Sequence, residues 1–321
     1  MASLLRDAPV TVPAGRLGSG RHHTTRAPRR SRADSRLLGM GRAIAVSLIP
    51  GSVLFLVFFA IPLVVLVVTA FTDWSGRRID PVGIANFQGI AADPVFWKTA
   101  GNTLFYAAVG VFIQVPLGCL VGMVIARRPR GWRALRAVVF LPYMISGAAV
   151  ALVFTVVYNP RFGLLNAIFE SMGLPGDTDW LFSASTSRWA VAATFAFTIG
   201  FAAIVVSAEI ASFPQELFEA AAIDGAGVLK QQLYLTLPLL RNVIGTLVLL
   251  SILGNLAAFD IVYILTNGGP ADGTATLILY AYRAYIAGDW GLANAVGVVV
   301  VALGLVLILG VRRLFRIGEE R

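Results

Sequence analysis

"EAAAIDGAGVLKQQLYLTLPLL", residues 219–240, is a small-residue stretch with three charges, set between two runs that are each apolar enough to cross a membrane. Ala and Leu favour helix here, Gly225 and Gly227 interrupt it, and Pro238 is expected to end it. A greasy chain that keeps a broken polar hairpin in this place has a topology to explain. The reading turns on which side of a bilayer the segment occupies.

Of the 321 residues, 57% are hydrophobic and only 13% charged, with a mean hydropathy of +0.78. Soluble domains carry roughly 25% charged residues, so the composition points to a membrane protein. The single cysteine, Cys119, lies in an apolar run and can form neither an intrachain disulfide nor a metal cluster. His22 and His23 sit side by side in an Arg-rich tail, and that pair reads as part of a solvated tail rather than a metal site. The 24 Arg against 2 Lys, with abundant Ala and Gly, fit a GC-rich bacterial genome. The net charge of +9 raises nucleic acid as a partner. Its distribution argues for a membrane instead.

A bilayer core needs about 20 apolar residues in helical form. Six runs meet that need: 43–72, 99–126, 137–160, 189–208, 242–259 and 290–311. The fifth reaches 271 if Asp260 is tolerated. Pro50, Pro62, Pro116 and Pro142 fall inside spans, where neighbouring helices can support a kink. The expected fold is therefore all-α and polytopic, with six transmembrane helices. Its parts are an Arg-rich tail over 1–42, a transmembrane domain over 43–311 and a short tail over 312–321. The first run, 30 residues long, exceeds a secretory h-region of about 7–15 residues and is read as a retained helix, although Arg29 and Arg30 faintly resemble a twin-arginine signal.

Orientation follows from the basic residues. Nine Arg lie in 1–42, five in 127–136, Lys230 and Arg241 in 209–241, and four Arg in 312–321. The intervening loops 73–98, 161–188 and 272–289 together hold six. Both termini and the opening stretch are thus expected in the cytoplasm of a bacterial cell, with the tail Arg residues either touching anionic lipid or merely enforcing topology.

Within 209–241, Ser212 and Gln215 fit a capping box and Pro214 suits a first turn. Phe213, Leu217, Ala220 or Ala221, and Asp224 then share a face at three-to-four-residue spacing. Gly225 and Gly227 close that helix, and a second short one follows over 228–237. Ala220, Ala221 and Ala222 let another surface approach closely, with Glu219 and Asp224 giving it a charged register; an ordinary loop helix with an Ala-rich packing face has the same pattern.

Glu219, Ala220, Ala221, Asp224, Gly225 and Ala226, followed by Leu237 and Pro238, resemble the signature loop of permease subunits of bacterial ATP-binding-cassette importers. In that family the loop forms a coupling helix seated in a cleft of the ATPase subunit. "LTNGGP" at 265–270, then Thr274, Thr276, Tyr280, Tyr282 and "GDWGLANA" at 288–295, is similar to the end of the fifth span and the next external loop in carbohydrate importers. "NTLFY" at 102–106, "LPYMIS" at 141–146 and "GLLN" at 163–166 resemble the first of their two unlike permease subunits, of the maltose, glycerol-3-phosphate and oligosaccharide type. The resemblance covers roughly 44–316; against the maltose protein, this chain has six expected spans rather than eight and lacks a large external insertion. It implies a type I importer permease with a second permease subunit, two ATPase subunits and an extracytoplasmic solute-binding protein. It also implies that Glu219 makes the docking contact and that Gly268, Gly269 and Pro270 form an external loop that meets the binding protein.

No phosphate-cradling "GxxxxGK[ST]", Ser-His-Asp set, H-E-x-x-H or cysteine cluster occurs. The chain is therefore expected to be a non-catalytic subunit with no cofactor, and ATP to be hydrolysed by a partner. Polar groups inside spans are costly and so mark candidate pathway residues. Asn255, Phe259 and Asp260 on the fifth run are the candidates, with Asn255 and Phe259 expected on one face at i, i+4. An amide beside an aromatic ring suits a sugar, though Asn255 and Asp260 can equally bond neighbouring helices. Gln114, Asn102, Thr194, Thr198 and Ser207 are ambiguous in the same way. The alternatives are a permease for glycerol-3-phosphate or another non-sugar, favoured by basic residues inside spans, and an ion-coupled secondary transporter, which needs paired ionisable groups at mid-membrane. This sequence offers Asp260 alone.

Overall fold

A computed structural model describes residues 47–76 and 78–315. The tail expected at 1–42, with His22 and His23, and the last six residues lie outside that range. The chain divides into two compact units, residues 1–59 and 60–321. In the first unit the described part is the beginning of helix α1 (Ser47–Thr69), where Phe55 and Phe59 stack with centroids 5.5 Å apart.

In the second unit α1 is followed by a two-stranded antiparallel ribbon, β1 (Thr72–Trp74) and β2 (Ile79–Pro81), which the all-α expectation did not include. Helix α2 (Ala85–Ala92) leads into α3 (Pro94–Ala126), followed by α4 (Trp132–Met144), α5 (Gly147–Val157) and α6 (Leu164–Ser171). Next come α7 (Ser187–Ser212), α8 (Gln215–Ile223), α9 (Val228–Leu239) and α10 (Arg241–Leu256). The described residues end with α11 (Asp260–Thr266), α12 (Leu277–Ile286) and α13 (Trp290–Phe315).

Among the described residues four helices, α1, α3, α7 and α13, are long and apolar enough to cross a membrane alone. Six spans result only if each of two bent pairs counts as one: α4 with α5 turns through 105°, and α9 with α10 through 68°. The third expected span, 137–160, is therefore not one straight helix. Ser146 caps α5, its hydroxyl accepting from the Ala149 N–H at 3.3 Å, and so starts a new helix inside an apolar run. The fifth expected span stops at Leu256, and Ala257, Ala258 and Phe259 break the helix before α11.

Three prolines are absorbed rather than kinked. Pro62, Pro116 and Pro238 each stand two residues after a five-residue π-turn: Leu56–Ala60, Gly110–Gln114 and Gln232–Thr236. A proline offers no N–H and its ring crowds the carbonyl one turn back. One wider turn moves that carbonyl aside. For this reason Pro238 does not end the hairpin, and α9 runs on to Leu239.

A close-packed seam joins α3 and α7. A Cβ added at Gly118 would stand 2.5 Å from the Ala202 Cβ, and one at Gly122 would stand 2.6 Å from the Ala203 carbonyl oxygen. Two glycines four residues apart let the backbones meet, the small-xxx-small device of lipid-embedded helices. Val115, Cys119, Val206, Leu247 and Ile252 extend this seam into one buried cluster. Large apolar side chains such as Phe112, Leu152 and Val306 face outward, as a hydrocarbon solvent permits.

The motifs at 102–106 and 265–276 prove to be polar stitches. Asn102 Nδ2 donates to the carbonyls of Asp272 and Ala275, both at 3.0 Å, and Thr103 Oγ1 accepts from the Leu277 N–H at 2.9 Å. Thr266 and Thr274 share a 2.6 Å hydroxyl bond, and Arg283 pairs with Asp272 at 2.5 Å. The Asn and Thr groups are withdrawn from water and so need partners, whereas the Arg283–Asp272 pair stays partly exposed. Tyr280 donates to Asp93 Oδ2 at 2.6 Å; burial and that carboxylate push its phenol above the usual range.

Candidate functional site

Helix α8 follows α7 after only Phe213 and Pro214. The capping box does not form: Ser212 still belongs to α7, and its hydroxyl bonds back to the Glu209 carbonyl at 2.7 Å. Pro214 holds the N-cap position with extended ψ instead. The expected face is also redrawn. Phe213, Phe218, Ala221 and Ala226 turn partly inward, whereas Leu217, Glu219, Ala220, Ile223 and Asp224 face out. Ile223 is 85% exposed.

The end of α8 explains three motif residues together. Asp224 is the C-cap, Gly225 takes φ +76°, and two reverse bonds close the turn. The Ala226 N–H reaches the Ala221 carbonyl at 2.9 Å and the Gly225 N–H reaches that of Ala222 at 3.0 Å. This is a Schellman motif, in which Ala226 and Ala221 also supply the customary apolar contact positions. A Cβ at Gly225 would meet nothing within 4 Å, so the glycine is there for its backbone angle and not for space. Gln231 then ties the turn down, its Nε2 donating to the Ala226 carbonyl at 3.0 Å. Among the described residues the Glu219 and Asp224 side chains make no hydrogen bond or ion pair. Glu219 borders an open crevice of about 480 Å³ whose other lip carries Arg127 and Arg128.

A second feature is an open cavity of about 660 Å³ at the middle of the helices. Gln114, Thr198, Ser251 and Asn255 line it as one network. Gln114 donates to Thr198 Oγ1 at 3.0 Å and accepts from Ser251 Oγ at 3.1 Å and, weakly, from Asn255 Nδ2 at 3.5 Å. Asn255 Nδ2 also reaches the Ser251 carbonyl at 2.8 Å. A Cβ at Gly110 would lie 2.4 Å from both Asn255 Nδ2 and Ser251 Oγ, so α3 admits this pair only because that residue is glycine. The Asn255 Nδ2 group thus serves helix packing, while its Oδ1 takes no bond from the described residues.

Asn255 and Phe259 both border the cavity but do not share a helical face. The break after Leu256 puts Phe259 at φ −122°, ψ −59°, where its ring stacks on Tyr263 at 5.1 Å and meets Tyr282 edge-on at 4.9 Å. Asp260 opens α11 and is exposed in the cavity, its carboxylate without a hydrogen bond or ion pair to the described residues. Its Oδ2 lies 3.7 Å from where a Gly147 Cβ would stand, at the N-terminus of α5, a favourable place for a carboxylate. Gln114, ambiguous in the sequence, proves to be the hub, and Tyr143, which was not singled out, forms a wall; Tyr143 stacks on Phe201 at 5.1 Å. The signal for Gln114 was the cost of an amide within an apolar span. Gly268, Gly269 and Pro270 lie at the far end of the molecule, where Gly268 takes φ +84° and the Gly269–Pro270 bond is cis.

The profile of the family "binding-protein-dependent transport system inner membrane component" matches residues 114–317. A probable ABC transporter permease protein of Bacillus subtilis, YurN, is 32% identical over 280 residues, covering 85% of this chain and 96% of its own. The diacetylchitobiose uptake system permease protein NgcF of Streptomyces coelicolor is 32% identical over 285 residues, covering 83% and 81%. Among solved structures, a bacterial alginate ABC transporter, crystallised with a periplasmic protein bound to an alginate pentasaccharide, has a chain similar at TM-score 0.75 and 25% identity. That likeness covers 88% of this chain and 98% of the other.

Proposed function

The chain belongs to the binding-protein-dependent transport system inner membrane components, a family of non-catalytic membrane subunits of ABC importers, and from that premise we propose that it forms half of the pore of a sugar importer and transmits ATP-driven motion to it. One observation carries the proposal. Helices α7 and α10 both line the central cavity, through Thr198 and Phe201 and through Ser251 and Asn255, and both run directly into the hairpin of α8 and α9. A partner that displaces the hairpin therefore moves two walls of the cavity at once. The joints are short, two residues on one side and Leu240 alone on the other, so little motion is lost.

In this reading α8 is the coupling helix. Leu217, Glu219, Ala220, Ile223 and Asp224 form its docking face, and Gly225 with Ala226 fixes its end. Two ATPase subunits close on ATP and carry the hairpin with them, and differential contact in the two states shifts the cavity between its openings. A second, unlike permease completes the pore. The six-span count follows if each bent pair is one crossing, and the excess of Arg in the tails and in 127–136 supports a cytoplasmic hairpin and termini.

The substrate reading rests on the cavity walls. Amide and hydroxyl groups from Asn255, Gln114 and Ser251 stand beside the Tyr143 and Phe259 rings, a mixture that suits the hydroxyl edge and C–H face of a sugar. No Lys or Arg lines the cavity among the described residues, which disfavours glycerol-3-phosphate. A single carboxylate, Asp260, likewise disfavours an ion-coupled carrier. A solute-binding protein delivers the ligand at the end that carries Gly268, Gly269 and Pro270.

The test is ATP hydrolysis by the complex reconstituted in lipid nanodiscs, with ligand-loaded binding protein and candidate sugars. Loaded binding protein should raise the rate several-fold, and Glu219→Ala should abolish that rise. A complex that co-purifies no ATPase and moves solute along an ion gradient overturns the proposal.

A further inference from the structure

At the other end of α3 from the hairpin lies an open pocket of about 470 Å³ that the cavity reading leaves unused. Trp97, Lys98 and Asn102 from α3, Arg188 from the start of α7, and Pro270 with Ala271 from the external loop wall it. Asn102 stands 12 residues before Gln114, which at about 1.5 Å per residue separates this pocket from the central network by roughly 18 Å. It is a mouth and not the cavity itself.

Its electrostatics are one-sided. Lys98 and Arg188 both line it and no Asp or Glu does. The nearby Asp272 is already paired with Arg283. Lys98 is exposed and anchored through its Nζ to the Ala271 carbonyl at 2.5 Å. The Arg188 guanidinium lies 3.9 Å above the Phe105 ring, which holds it in place while its Nε, buried, finds no hydrogen-bond partner. Arg188 stands in the first turn of the long helix α7, so the positive end of that dipole adds to its charge. A cation set at a helix N-terminus, with its buried Nε–H unused among the described residues, is a costly arrangement for an isolated chain. An incoming anion relieves it.

We propose that this pocket receives an acidic side chain of the docking solute-binding protein, with Lys98 and Arg188 holding the carboxylate between them. A protein-borne carboxylate is favoured over a free anion because the pocket opens at the rim, away from the central cavity, and is bounded by the loop already assigned to docking. Two charges of one sign fixed on rigid helices steer encounter and set register. The proposal rests on the importer reading above and deepens it.

The experiment titrates ligand-loaded binding protein onto the wild-type complex and onto Lys98→Gln, Lys98→Glu and Arg188→Gln complexes in nanodiscs. Binding is read by surface plasmon resonance without ATP, and stimulated ATPase in parallel, at about 20 and 200 mM salt. Lys98→Glu should raise the dissociation constant about tenfold, and Lys98→Gln by less, with basal and saturated ATPase unchanged. Wild-type affinity should fall with salt, and the Lys98→Glu complex should lose most of that dependence. Lys98 is exposed, so its variants stay informative even if Arg188→Gln, which disturbs the Phe105 contact, fails to fold. Unchanged binding in both Lys98 variants overturns the proposal. So does unchanged binding with altered inhibition by free glucuronate, which would make the pocket a small-anion site. Absence of any ATPase in the wild-type complex would instead refute the importer reading, and is scored separately.

Discussion

Replacing Gly225 by alanine isolates what the hairpin turn costs. At φ +76° an L-residue brings its Cβ against its own backbone, a penalty of about 1–2 kcal/mol. No other atom lies within 4 Å of the added methyl group, so packing adds nothing to that figure. At 25 °C the penalty shifts the balance between closed and frayed turn by about 5- to 30-fold. The reporters are the amides of Gly225 and Ala226, which donate to Ala222 and Ala221. Hydrogen exchange of the nanodisc-embedded chain should be faster at both by that factor in Gly225→Ala. Gly225→Asn, which tolerates the left-handed region, should lie close to wild type, and Gly225→Val should be worst. Equal acceleration by Asn and Ala would refute the backbone-angle account, because then any side chain, not its conformational preference, would be at fault.

Gly118→Val should destabilise the α3–α7 seam by at least about 1–3 kcal/mol, because a Cβ there stands 2.5 Å from the Ala202 Cβ; thermal unfolding in detergent reads it. A double-mutant cycle of Gln114→Ala and Ser251→Ala should return a coupling of about 0.6 kcal/mol, with about 1.7 as a ceiling, for their 3.1 Å bond, measured by denaturation in mixed micelles. Tyr280→Phe removes a bond to a charged partner at a half-buried site and should cost about 1 kcal/mol. The Tyr280 phenol is raised in the folded protein from its ordinary value of 10.0, so its stabilisation is full below that pH and is lost as pH climbs through the folded value. Wild type should therefore lose stability above about pH 10 more steeply than Tyr280→Phe does.

The long apolar runs and the glycine at 225 were legible because each depends on local chemistry alone: hydropathy over one span, or the one residue that adopts φ +76° without cost. The breaks were not. Expecting Asn255 and Phe259 on one face assumed a helix that continues, yet it stops at Leu256, and Thr276 donates at 3.1 Å to the Ala258 carbonyl that the break exposes. That partner lies 18 residues away, beyond any reading of spacing. Gln114 failed to stand out for a similar reason: its meaning comes from Thr198 on α7 and Ser251 on α10. The Ser212–Gln215 capping box was a correct local signal defeated by α7 running one turn further than expected, which kept Ser212 inside it. Ser146 was the opposite case, an N-cap signal inside an apolar run that composition alone smooths over.

The account stands or falls on what touches the exposed tip of α8. A photoactivatable residue placed at Ile223, in cells expressing the whole transporter, tests this directly. Phe182, also exposed but next to Ala184 at the opposite end, serves as control. Ultraviolet light should join position 223 to the ATPase subunit, and position 182 should give no such adduct. An ATPase adduct from 182 but none from 223 would contradict both the coupling role and the proposed orientation.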